Sequence, residues 1–136
     1  MTGTRWIRIA LLAALLGASI SGCRDQGSAG PGTYDGSVEL SGGSPGAVLL
    51  LFTGDAIQDV VGEGGTMSWA QPGPASSGGE LRALLVDPGS SGALTFRVEV
   101  DDVSAGAPRV VVIEITDREN GLLSVPQDVR VHLSRR

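Results

Sequence analysis

The chain contains no lysine, one histidine and one cysteine, and its aromatic residues make up only 4% of 136 positions. Each scarcity excludes a class of chemistry. A single cysteine rules out an internal disulfide and a cysteine-rich metal site. A single histidine, His132, rules out a three-histidine zinc centre, and any Ser-His-Asp triad would have to use it. Without lysine there is no Schiff-base nucleophile and no lysine for a phosphate loop, and the Gly62-Glu63-Gly64-Gly65 stretch opens no helix. Few aromatics argue against the deep, ring-lined cleft that glycoside hydrolysis needs. Acidic residues outnumber basic ones by fifteen to ten, which disfavours nucleic acid and anionic lipid surfaces as partners. The chain implies no cofactor.

One long apolar run is present, and it lies at the amino end. Arg5 and Arg8 precede an aliphatic stretch at residues 9–16, and small residues follow up to Gly22. This is the layout of a secretory signal, with a charged region, a short apolar region and a small-residue cleavage region. The run is shorter than the ~20 apolar residues a membrane span requires. The only cysteine, Cys23, sits directly behind Ile20, Ser21 and Gly22. That string resembles the lipobox of bacterial lipoproteins. The resemblance implies a diacylglycerol thioether on Cys23, cleavage before it, and acylation of the new amino terminus by a fatty acid such as palmitate. Two or three acyl chains anchor firmly, at ~0.8 kcal/mol per buried CH₂. The expected location is the cell envelope outside the cytoplasm, held by lipid. Arg24, in place of an aspartate after the cysteine, favours the outer membrane where the cell has one.

Composition divides the chain into residues 1–22 as lipoprotein signal peptide, 23–36 as lipidated cysteine and flexible tether, and 37–136 as one folded domain. The tether assignment rests on glycine, serine and proline without apolar periodicity. Without residues 1–22, eight arginines face fifteen acids, a formal charge of −7.

From Ser37 onward, short apolar segments alternate with turn residues. Residues 47–52 form a continuous apolar run, which predicts a strand buried on both faces. Leu94, Phe96, Val98 and Val100 alternate with polar residues, the pattern of a half-buried strand. Residues 109–116 are β-branched almost throughout and suit a central strand. Val38 and Leu40 start the pattern, residues 56–61 give a weaker signal, and residues 66–70 and 81–86 are further segments. Val129, Val131 and Leu133 mark a last strand, and Asn120-Gly121 marks a turn. Pro45, Pro88, Pro108 and Pro126 fall between these segments. Seven or eight short strands with no helical stripe predict an all-β, antiparallel two-sheet sandwich, cohesin-like or immunoglobulin-like.

The apolar run between Gly46 and Gly54, Ile57 and Val60 after it, residues 81–86, and the alternation from Gly92 to Val100 together resemble the small cohesin-like lipoproteins of bacteria. The likeness spans roughly residues 37–134 and implies a sandwich. Cohesins bind dockerin modules, but no dockerin-contacting residue carries over onto this chain.

Several local patterns could carry chemistry. Gly42-Gly43-Ser44-Pro45-Gly46 matches the G-x-S-x-G string of α/β-hydrolases. Pro45, however, has no N–H for an oxyanion hole, and a β run follows where a helix should, so a turn is the better reading of Ser44. His132 alternates with Val131 and Leu133 and is expected to face solvent. Asp101, Asp102, Asp117 and Glu119 are candidate calcium ligands, since calcium takes oxygen donors from acidic loops. The spacing fails an EF-hand, and solvated turns are the simpler assignment. Trp69 is a candidate carbohydrate platform or interface anchor. It shares a strand face with Met67, which makes core packing the simpler expectation. No catalytic set emerges. The sequence predicts a lipid-anchored, non-enzymatic envelope module for interaction or structure, possessing a membrane anchor and another envelope protein as partner. The alternative is a calcium- or glycan-binding envelope module that uses the acidic loops or Trp69.

Overall fold

The computed structural model describes residues 29–73, 79–89, 92–123 and 129–136. Among these residues nine strands form two antiparallel sheets, the predicted two-sheet β-sandwich. The strands are β1 (Gly32–Leu40), β2 (Ala47–Thr53), β3 (Ile57–Glu63), β4 (Met67–Pro72), β5 (Glu80–Val86), β6 (Leu94–Val100), β7 (Arg109–Thr116), β8 (Leu122–Leu123) and β9 (Val129–Arg135). The four-stranded sheet has the order β3-β6-β1-β9, and the five-stranded sheet has the order β4-β5-β2-β7-β8. A 3-10 turn at Val103–Ala105 joins β6 to β7.

Period-two alternation builds the core, because successive side chains in a strand point to opposite faces. Strand β6 buries Leu94, Phe96, Val98 and Val100 in strict alternation. Strand β5 does the same with Leu81, Ala83 and Leu85, and β2 with Val48, Leu50 and Phe52. The two sheets meet where Phe52 and Phe96 pack edge to face, with ring centroids 5.8 Å apart. Gly36 of β1 lies beneath Phe96, and a Cβ at this position would collide with the phenyl ring. The glycine is therefore the inward residue that makes room for the largest side chain of the opposing strand. Truncating either phenylalanine to alanine is expected to cost about 3–5 kcal/mol.

Three sequence expectations are corrected. Composition assigned residues up to 36 to the tether, yet β1 begins at Gly32. Tyr34 is 5% exposed, and its hydroxyl donates to the Val103 carbonyl at 3.4 Å. The inward positions of β1 are Tyr34, Gly36 and Val38. The central one is a glycine, which breaks the apolar alternation and makes the first half of the strand, up to Gly36, read as linker.

Strand β2 is not buried on both faces: Leu49 and Leu51 are half-buried, on the side away from the core. Strand β7 is paired along its whole length with β2 but only through Ile115 and Thr116 with β8. A bulge opposite Leu49 and Leu50 leaves Ile113 without a register partner. Val111 and Ile113 emerge into solvent, and Ile115 alone on β7 is fully buried.

Candidate interaction face

The outward residues of the five-stranded sheet form a lattice fixed by register. One row reads Trp69, Leu84, Leu49 and Glu114 across β4, β5, β2 and β7. The row on one side reads Met67, Val86, Ala47 and Thr116, and the row on the other reads Gln71, Arg82, Leu51 and Val111. Rows on one face are ~6.6 Å apart along the strands and columns ~4.8 Å apart. Ile113 fills the gap that the bulge opens between Glu114 and Val111. Trp69 is 54% exposed, Met67 47% and Val111 46%. Ile113 and Leu84 are also exposed, as is Leu122 at the margin of the sheet.

Trp69 thus stands in solvent, contrary to the expectation that it packs in the core with Met67. The two residues do share a face, and it is the outer one. Beside the indole runs an open trough of about 550 Å³ lined by Leu49, Trp69, Ala70, Gln71, Arg82 and Leu84. Arg82 is exposed and makes no ion pair among the described residues.

The outer face of the four-stranded sheet is built differently. Arg97 on β6 binds Glu63 of β3 at 2.8 Å and Glu99 at 3.4 Å. Arg136 reaches Asp35 at 3.6 Å and Glu63 at 4.0 Å. His132 on β9 lies 3.9 Å from Glu39 and is exposed, as its alternation predicted.

The acidic candidates fall at opposite ends of the sandwich. Asp101 and Asp102 follow β6 near Ala56, whereas the Asp117 carbonyl lies against Gly46. Strand β2 separates the two ends by ~23 Å. The oxygens of Asp102 and Asp117 serve the backbone. Asp102 accepts from the Ser104 amide at 2.8 Å and from the Gly30 amide at 3.3 Å, capping the 3-10 turn. Hydrogen bonds from Ser104, first through its side chain and then its backbone, and from the Gly30 backbone hold the Asp102 carboxyl below the usual aspartate range. The Asp101 carboxylate accepts from Gln58. Asp117 accepts from the Glu119 amide at 2.9 Å and the Gly121 amide at 2.7 Å, closing the turn in which Asn120 takes a positive φ of 64°. Among the described residues no group of three or more His, Cys, Asp or Glu is placed to hold a metal ion.

Ser44 lies in the turn between β1 and β2, where the Gly43 amide donates to the Leu40 carbonyl at 3.4 Å. Cys23 and the signal segment 1–22 lie outside the described residues.

No protein-family model, no curated protein and no solved structure matches this chain. The site's chemistry is that of a surface rather than a pocket. An indole, aliphatic side chains from four strands and a few charges beside them can exclude water from a partner. The sequence signal for this face is the continuous apolar character of residues 47–52 and 110–113. A strand with one face in the core and the other on an exposed apolar surface reads the same as a strand buried on both sides.

Proposed function

We propose that the chain is a lipid-anchored interaction module of the bacterial cell envelope. Its docking surface is the outer face of the five-stranded sheet around Trp69. The observation that carries this reading is the contiguous exposure of Met67, Trp69, Leu84, Val111 and Ile113 on one sheet face. The lattice spacing gives that face an area on the order of 400 Å², within the range of the largest apolar patch on a typical monomer, which is often functional. Tryptophan is a common energetic anchor at interfaces.

The anchor itself rests on the lipobox at Ile20-Ser21-Gly22-Cys23. Gly30 is the seventh residue after Cys23, so the domain would stay within ~24 Å of its lipid. The docking face runs along the side of the sandwich, parallel to its strands, and is open to a neighbour in the same envelope layer. Asp102 and Asp117 are engaged by backbone amides, and no three acidic groups converge among the described residues, which weakens the support for calcium. A glycan remains the second reading, because the Trp69 indole, Gln71 amide and Arg82 guanidinium share one trough and could stack on and hydrogen-bond to a sugar ring.

The test is photo-crosslinking in intact cells, using the full chain with a photoreactive side chain at Leu84 and, as control, at Ser37 on the opposite outer face. A protein adduct of discrete mass from position 84 alone is expected. Equal labelling from both positions, or none from either, would reject the docking face. Recovery of wall glycan at position 84 would favour the second reading. Conversion of Cys23→Ser is expected to abolish acyl labelling and release the protein from membranes; retained acylation would reject the anchor.

A further inference from the structure

We infer that the partner seated on this face is a second copy of the same chain, related by a two-fold axis that passes between Leu49 and Leu51. The inference rests on reading the face as a docking surface and identifies its occupant.

Charge is the first argument. The protein is acidic overall, and two copies should repel. Much of the excess sits in the loops, at Asp55, Asp101 and Asp102 at one end and at Asp87, Asp117 and Glu119 at the other. The outward lattice of β5, β2 and β7 instead carries Arg82 and Arg109 against Glu80 and Glu114, with no net charge. This is a surface on which one copy can approach another without an electrostatic penalty.

Register is the second argument. Arg82 and Glu114 are separated by two strands and one row, ~12 Å, and make no ion pair among the described residues. The midpoint between them lies between Leu49 and Leu51, in the middle of the apolar lattice. In an isologous contact each residue meets the exchange partner of its own position. A two-fold axis in the plane of the face through that midpoint exchanges the positions of Arg82 and Glu114. It therefore sets each arginine against the other copy's glutamate, twice. The same operation lays the indole of Trp69 over the other copy's Ala47, the smallest outward residue of β2. Leu49 and Leu51 fall within ~2 Å of the axis and pack on their own counterparts.

Anchoring is the third argument. This axis makes an angle of ~35° with the strands, so the two sheets cross at ~70°, toward the orthogonal packing class. A two-fold rotation preserves direction along its axis. The Gly30 ends of both sandwiches therefore point to the same side, as two chains anchored in one bilayer require. Two such faces bury about 800 Å² in total, the size of a weak contact. Confinement of both copies to one membrane would raise their effective concentration and favour the contact.

The test uses the full chain in its native membranes. Leu49→Cys and Leu51→Cys are introduced singly, with Ser37→Cys as the control on the other sheet, and thiols are oxidised before non-reducing electrophoresis. Both lattice variants are expected to give a covalent dimer that Ser37→Cys and the parent chain do not. Adding Arg82→Glu should lower the yield at least tenfold, and adding Glu114→Arg as well should restore it. That restoration also shows that the charge variants fold. Absence of dimer from both lattice variants would overturn the inference, as would equal dimer from Ser37→Cys or a yield indifferent to Arg82→Glu. If position 84 still crosslinks a different protein, the docking face survives and only its occupant is rejected.

Discussion

The two sheets bury equivalent inner faces and present opposite outer ones. On the four-stranded sheet, Arg97, Arg136 and His132 are set against Glu63, Glu99, Asp35 and Glu39 within and across its strands. On the five-stranded sheet, Leu49, Leu84, Trp69, Val111 and Ile113 occupy the corresponding outward positions. The first arrangement is what a sheet facing water needs. Nothing in the packing of the core demands the second, since antiparallel sheets commonly have one face packed on the core and one solvated. The contrast teaches that a strand's outward residues report what lies outside the domain, while its inward residues report the fold.

The contrast can be broken most severely at Trp69. Trp69→Ala should weaken capture of the docking partner by about 2 kcal/mol, roughly thirtyfold, measured as loss of the adduct from position 84. The melting temperature should stay within a few degrees, because the indole contributes little to the core. A variant that unfolds instead would show that the face is part of the fold. Next in size, Arg97→Ala on the charged face should cost between ~0 and 1 kcal/mol, an effect that shrinks in high salt, and leave docking unchanged. Thermal unfolding at two ionic strengths reads this. Val111→Thr together with Ile113→Thr should change stability by about 0.5 kcal/mol or less per substitution, yet raise solubility and lower docking, separating surface role from packing role.

The smallest effect concerns the end of the sandwich that both faces share. Asp102 has its carboxyl held below the ordinary range by its hydrogen bonds. The ionised cap therefore contributes stability above the unfolded aspartate value, about pH 4, and loses it as pH falls through the lower folded value. The melting temperature of Asp102→Ala should lie below that of the parent chain at neutral pH, and the two should converge on acidification below about pH 4. A constant gap would refute the assignment.

Strands whose inward and outward residues differ in chemistry were plain in the sequence. Strand β6 was legible residue by residue, because Thr95, Arg97 and Glu99 separate its four core residues. Where both faces are apolar, as in β2 and β7, periodicity cannot tell core from exposed surface, and the docking face was hidden inside what read as buried strands. Trp69 was singled out but assigned inward, since a tryptophan and a methionine on one face look the same whether that face points in or out. Tyr34 was missed for the opposite reason. The demand for Gly36 comes from Phe96, sixty residues away, and no local pattern carries it. The bulge at Ile113 is likewise set by pairing with β2 and left no mark in the order of residues.

The placement of β1 has a mechanical consequence. It lies between β6 and β9, registered with seven residues on either side, and the chain enters it at Gly32 from the amino-terminal direction. A pull on the polypeptide ahead of Gly30 first loads the Gly30–Asp102 bond and the Val103 amide on the Gly30 carbonyl. Beyond them, the load runs along the axis of β1 and strains two hydrogen-bonded ladders in shear, all rungs at once, instead of peeling them one by one. A domain held by its leading end against drag would resist extraction there most strongly, and would yield as a whole or not at all.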